Sequence, residues 1–270
     1  VSLLLHLSDT HFGTELPHVV QALLALAHQR RPDVLVFSGD ITQRAQVSQF
    51  EAARQFCRDL GIARMLALPG NHDIPLFDVA ARLFRPYVRY LDAFGPTLEP
   101  VLETDAFLLI GVNTTRASMH KNGAVSPVQA ARVANRLRQA RGGQLRVVVT
   151  HQPAEVGRPE DVHDRLREAE PALQAWSAAG ADLVLGGHIH LPYVLDLAAR
   201  ETPTPRAMWC VQAGTAVSSR VRHGTSNSVN FIEWRQHRGA ERRHCLLERW
   251  DYDERAGAFT AASTRTLALA

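Results

Sequence analysis

Seven side chains able to bind a metal ion stand where the sequence turns away from apolar runs: Asp9 with His11, Asp40, Asn71, His151, and His188 with His190. The densest stretch is Leu68-Pro69-Gly70-Asn71-His72-Asp73-Ile74-Pro75. Pro69 and Gly70 force a tight turn that presents an amide, an imidazole and a carboxylate in a row. Such a trio is poor material for a core. Asn71 Oδ1 can ligate a hard metal, His72 can pass a proton, and Asp73 can hold the ring of His72. Each residue alone has a bland reading: a turn cap for Asp9, a loop carboxylate for Asp40, a surface ring for His11, a satisfied core group for His151. Five such turns with no member inside a helix, and a His188-x-His190 pair whose rings converge easily, argue for one shared site.

The donor set mixes nitrogen and oxygen with no thiolate. It suits Mn²⁺, Fe, Zn²⁺ or Co²⁺ rather than Ca²⁺ or a structural zinc. Seven ligands are too many for one ion and suit two that share a carboxylate. Two metals roughly 3.5–4 Å apart can hold a bridging hydroxide and clamp the oxygens of a phosphoryl displacement. His72 is then surplus to the ligands and free to act as general acid. Gly39, Gly70, Gly186 and Gly187 flank the candidates, where a missing Cβ permits close approach. The remaining rings of His6, His18, His28, His163, His223, His237 and His244 follow no such rule and read as structural or surface groups.

These turns need a scaffold that brings them together. Leu3–Leu7, Val34–Phe37 and Ile62–Leu68 read as short continuous apolar strands. Helices intervene, the first opened by Pro17 and the second presenting Phe50, Ala53, Cys57 and Leu60 and closed by Gly61. The βαβαβ pattern predicts a parallel sheet covered on both faces, with ligands outside the carboxyl ends of its strands. Residues 76–100 are helical but broken by Pro86 and by Gly95-Pro96, and read as an inserted lid or cap. Further strands are expected at Phe107–Val112, Leu145–Thr150 and Ala181–Leu185, and residues 116–126 as a mobile loop. After Pro192 strands follow without long helices, which predicts a second, more antiparallel sheet beside the first. Gly257–Ala270 is expected to fray.

Composition sets bounds. The chain has 270 residues, 46% of them hydrophobic, enough for a large core. A net charge of +3 with scattered arginines gives no nucleic-acid footprint. Cys57, Cys210 and Cys245 are odd in number and lack metal-ligand spacing, which fits a reducing cytoplasm. No run is long enough for a transmembrane helix, and the opening apolar stretch is too short for a signal peptide. A cytoplasmic location is therefore expected.

In order and spacing, Asp9-Thr10-His11, Gly39-Asp40, Gly70-Asn71-His72-Asp73, His151 and Gly187-His188-Ile189-His190 resemble the motifs of the calcineurin-like metallophosphoesterases. The resemblance implies a single domain over residues 1–270, a four-layer αββα sandwich of two mixed sheets with a dimetal site at the strand ends. It implies that Asp9, His11, Asp40 and His190 hold one ion, while Asp40, Asn71, His151 and His188 hold the other. His72 would protonate the leaving oxygen, with Asp73 orienting it. Leu68–Pro75, Ala213–Ala216, Ser218–Arg222 and Asn227–Asn230 more loosely resemble the bacterial class III cyclic nucleotide phosphodiesterases.

The expected substrate is thus a small phosphate ester, a cyclic nucleotide or a similar diester. Rival readings are a phosphomonoesterase or a nucleotide-sugar-lipid pyrophosphatase, which an exposed apolar lid around Leu76, Phe77, Leu83 and Phe84 would favour. A third is a non-catalytic scaffold on the same fold, as in a retromer subunit; the presence of His72 and every ligand speaks against it. Arg44, Arg116, Arg220, Arg222, Asn113 and His120 are second-rank candidates for substrate contact. A homodimer is compatible with the sequence.

Overall fold

The computed structural model describes residues 1–236 and 243–270; His237 lies outside them. β1 (Ser2–Leu7), β2 (Val34–Phe37) and β3 (Arg64–Ala67) are parallel neighbours, linked by α1 (Pro17–Arg30) and α2 (Val47–Leu60). Their side chains alternate between faces. Leu5, Leu7, Leu35 and Phe37 point outward to α1 and α2, while Leu4, Val34, Val36 and Leu66 point inward. On α2 the buried face carries Phe56 rather than Cys57, which is only half-buried.

The second sheet starts earlier than the texture of the sequence suggests. β4 (Val101–Glu103), β5 (Phe107–Gly111), β6 (Leu145–Val149), β7 (Leu183–Gly186), β8 (Tyr193–Asp196) and β9 (Trp209–Gln212) pair in the order β4-β5-β6-β7-β9-β8. Its outer face is covered by α5 (Pro127–Arg138) and α6 (Ala169–Ala178). β10 (Ser228–Trp234), β11 (His244–Asp253) and β12 (Ala258–Ala268) return to the first sheet instead, giving the order β12-β11-β10-β1-β2-β3. The strands after Pro192 are therefore shared between the sheets, and one of them, β9, runs parallel to β7. The inner faces meet in one cluster that includes Leu4, Val36, Leu66, Leu109, Val147, Leu185, Ile232 and Trp234. This is the expected αββα sandwich, mixed in both sheets.

Two further expectations change. β12 is an ordered strand of 11 residues, although most of its side chains are exposed. Main-chain pairing with β11 and the buried ends Phe259 and Leu267 hold it, none of which shows as an apolar pattern. The loop at 116–126 is tied down: Lys121 Nζ lies 2.7 Å from Asp164, and Asn122 donates to the His163 carbonyl at 2.8 Å.

Within 76–100, α3 (Val79–Phe84) buries no side chain, whereas α4 (Val88–Phe94) buries Tyr90 against Phe50 and Phe94. The Tyr90 hydroxyl donates to the Ala67 carbonyl at the end of β3. No helix among the described residues is long and apolar enough to cross a membrane.

Candidate metal centre

Parallel strands point their carboxyl ends the same way, so the turns after β1, β2 and β3 lie side by side and face those after β6 and β7. That geometry brings the seven predicted side chains together. Donor atoms of Asp9, His11 and His190 lie within 4.8 Å of one another, as do those of His11, Asp40 and His72, and those of Asp40, His151 and His188. Asn71 joins through Oδ1, 3.2 Å from His151 Nε2. Asp40 faces both halves, with Oδ2 3.8 Å from His11 Nε2 and Oδ1 3.3 Å from His151 Nε2. Among the described residues it is the one carboxylate placed to be shared.

Backbone strain marks the same residues. Asp9, His11, Asp40, His188 and His190 all have positive φ, between 42° and 76°. For a residue with a Cβ this region costs roughly 1–2 kcal/mol, and such outliers gather at functional sites. The turns also need two glycines. A Cβ on Gly70 would collide with the main chain and carboxylate of Asp40, and one on Gly187 with Ser8 and Asp9.

The lone pairs at the centre call for cations. His151 Nδ1 donates to the Ser38 carbonyl at 2.9 Å, and His190 Nδ1 donates to the carbonyl of Arg220. A carbonyl only accepts, so Nε2 of each neutral ring carries a lone pair. His151 Nε2 then faces oxygens of Asp40 and Asn71, and His190 Nε2 faces Asp9 Oδ1 at 3.3 Å and His11 Nε2 at 3.1 Å. Asp9 Oδ1, His11 Nδ1 and both nitrogens of His188 are buried without a hydrogen-bond partner. Converging acceptors with nothing to accept repel one another unless a positive charge lies between them. Burial disfavours a charged His151, but the Asp40 carboxylate beside it favours positive charge there and raises its pKa to about 9. Burial drives His11 the other way, to about 3. The donors present fit two transition-metal ions on nitrogen and oxygen ligands.

His72 stands at the rim. Its Nδ1 donates to the Gln43 carbonyl at 2.9 Å, leaving Nε2 toward the cleft, and its main-chain N–H donates to Asp40 Oδ1 at 2.8 Å. Asp73 does not hold this ring. Its carboxylate accepts from the main chain of Ile41, Thr42 and Gly70 and from the Thr42 hydroxyl, at 2.7–3.0 Å. It pins the turn after β2 to the turn after β3. Asn113 and Arg116 also leave the site: Asn113 Oδ1 accepts from Thr115, and Arg116 donates to main-chain carbonyls and Gln129.

The cleft above the centre has a volume of about 720 Å³, and Arg44, His120, Lys121, Arg220 and Arg222 line it. So do Asp161, His163 and Asp164 from the 3-10 turn Pro159–Asp164, none of which the sequence singled out as a site residue. Asp164 Oδ1 lies 3.7 Å from His188 Nε2. Neither these residues nor Gln43 and Arg220 follow an apolar strand at a Gly-flanked turn, and Ser38, which does, acts through its main-chain carbonyl, a group that no residue type announces.

A family model described as calcineurin-like phosphoesterase matches residues 3–192, which include every candidate ligand and His72. The chain belongs to the calcineurin-like phosphoesterase family. The chain is 29% identical over 172 residues to the glycerophosphodiester phosphodiesterase GpdQ of Enterobacter lignolyticus (strain SCF1), a match covering 57% of the chain and 58% of the relative. Among solved structures it resembles a purple acid phosphatase from seeds of yellow lupin, Lupinus luteus, with a TM-score of 0.69 at 11% identity, covering 99% of the chain and 53% of the plant protein. It also resembles a dimetal phosphatase from Danio rerio, with a TM-score of 0.66 at 9% identity, covering 100% and 99% of the two chains. At those identities the structural likenesses speak for the fold. The chain thus spans little more than half the length of the first two of these relatives.

Proposed function

We propose that the protein is a two-metal phosphodiesterase for small diesters, such as a glycerophosphodiester or a cyclic nucleotide. The observation that carries this is the position of His72, at the rim of the cluster with a ring nitrogen within 4.8 Å of donor atoms of His11 and Asp40, and on the wall of a cleft of small-molecule size. Asp9, His11, Asp40 and His190 would hold one ion, and Asp40, Asn71, His151 and His188 the other. When bound, two such ions acidify water and neutralise charge on phosphoryl oxygens. The chain's own residues do the rest. Ser38 and Arg220 lend carbonyls that turn Nε2 of His151 and His190 inward. Gln43 fixes the His72 ring so that Nε2, once protonated, can hand its proton to the leaving oxygen. The match to a glycerophosphodiester phosphodiesterase supports the diester class.

One feature favours a second reading, a phosphate ester with an apolar tail. Phe77, Leu83 and Phe84 are 71–82% exposed, and the Arg44 guanidinium, which lines the cleft, lies 5.2 Å from the Phe77 ring. In that reading α3 is the lid.

The test is hydrolysis of a panel by the Mn²⁺-loaded protein: phosphomonoesters, cyclic nucleotides, glycerophosphodiesters, and pyrophosphates with and without acyl chains. The diester reading expects kcat/KM for a small diester to exceed that for every monoester and acylated substrate. Preference for a monoester would overturn it, and preference for an acylated pyrophosphate would establish the second reading.

A further inference from the structure

Four cations line the cleft, and they differ in what balances them. Lys121 lies 2.7 Å from Asp164, and Arg222 lies 2.9 Å from Asp161. Arg44 is exposed and rests over the Phe77 ring. Arg220 has no carboxylate partner among the described residues. Its Nη1 donates to Gln43 Oε1 at 2.8 Å and approaches the two ring nitrogens of His72 at 3.3 and 3.5 Å. No hydrogen bond among the described residues uses its Nε or Nη2. A half-buried guanidinium held only by neutral groups, with most of its donor fork free, has the chemistry of an anion receptor.

The main chain of Arg220 is fixed to the centre it overlooks. Its carbonyl accepts from His190 Nδ1 and, at 2.9 Å, from the Thr215 hydroxyl. The backbone thus orients one candidate ligand while the side chain reaches across the cleft to the proton donor. Gln43 does the matching work from the other side, its carbonyl on His72 and its amide oxygen on Arg220.

We propose that Arg220 is the phosphate-gripping residue of the cleft. Parked on Gln43 and His72 in the free protein, it transfers its free N–H fork to a non-bridging phosphoryl oxygen when substrate enters. The contact with His72 also explains why the parking place matters. Arginine can only donate, and Nδ1 already donates to Gln43, so Nη1 must occupy the lone pair of Nε2. The transfer clears the face of His72 that looks onto the substrate. The proposal rests on the phosphate-ester reading of the cleft, but not on which ester is natural.

The test uses the full chain loaded with Mn²⁺, as parent, Arg220→Ala and Arg220→Lys. Bis(p-nitrophenyl) phosphate serves as the diester probe and inorganic phosphate as the calorimetric one. Arg220→Ala should retain both metal ions, raise KM about tenfold or more, weaken phosphate binding by a similar factor, and leave kcat within about threefold. Added guanidinium ion should lower the KM of Arg220→Ala and not that of the parent, and Arg220→Lys should fall between the two. Unchanged KM and phosphate affinity in Arg220→Ala would overturn the proposal. So would loss of a metal ion, which would place the residue's role in supporting His190. If the parent fails to cleave the probe, the diester reading fails, while calorimetry with phosphate still decides the role of Arg220.

Discussion

The ring of His72 is aimed by a main-chain carbonyl, and no substitution at Gln43 removes that carbonyl. The neighbouring Asp73 is the opposite case, a side chain whose loss would strand buried main-chain donors at Ile41, Thr42 and Gly70. The two positions should therefore fail differently. His72→Ala should keep its metal ions and melting temperature and lose about 10²–10⁴ in kcat on the best substrate. Asp73→Ala should lose about 3 kcal/mol or more of stability in urea unfolding, because each unsatisfied buried donor costs ~1–3 kcal/mol. A residue-level acid sensitivity belongs to His6 on β1. Burial lowers its pKa to about 3, despite nearby Asp9, and its Nε2 lies 2.9 Å from the Ser38 hydroxyl. The unfolded chain takes up this proton below about pH 6.5 and the folded chain does not. Stability is thus full above pH 6.5 and falls as pH drops toward 3, by about 2 kcal/mol at pH 5. His6→Gln should remove that share of the loss between pH 7 and pH 5 in paired urea titrations. The candidate ligand side chains were legible because aspartates and histidines after apolar runs are chemically conspicuous. The left-handed φ at Asp9, His11, Asp40, His188 and His190, and the carbonyls that aim the rings, were not. A backbone group is common to every residue type and leaves no letter in the sequence.

At the scale of elements, α3 and α4 separate two roles that one broken helical stretch had merged. Both carry aromatic and aliphatic residues at similar spacing, so periodicity alone could not tell a packed helix from an exposed one. Burial decides it. Tyr90→Ala should cost ~3–5 kcal/mol, since a fully buried aromatic and a hydrogen bond are lost together. Phe84→Ser should change stability by no more than about 0.5 kcal/mol, because that ring is 82% exposed. Thermal melts of the two variants check the contrast. If α3 acts as a lid, Phe84→Ser should instead show its effect in KM for acylated substrates. Strand assignment carries a similar lesson. The early βαβαβ run announced a parallel sheet, since continuous apolar strands need cover on both faces. Nothing in β8–β12 said which sheet each would join, because either edge offers the same main-chain donors and acceptors.

The whole molecule is two sheets closed over one core, with the candidate centre built from both. Asp9, Asp40 and Asn71 come from one sheet, and His151, His188 and His190 from the other. Ions that bind there hold the sheets together and offset the strain in the turns. Removing metal with a chelator should therefore lower the melting temperature, and Mn²⁺ should restore it. A ligand at a thousand times its dissociation constant adds ~4 kcal/mol, or on the order of 10 °C for a domain of this size. A melting temperature indifferent to chelation would mean that the cluster does not bind ions tightly.

The pairing of β1 with β10 sets a schedule for biosynthesis. The strand that delivers Asp9 is made well before its second neighbour, Ser228–Trp234, which lies more than two hundred residues downstream. At roughly 5–20 residues per second, β1 waits about 10–45 s on the ribosome with one edge bare. Nascent chains halted before Ser228 should accordingly present a sticky strand to chaperones, and gain protease resistance only once Trp234 has emerged.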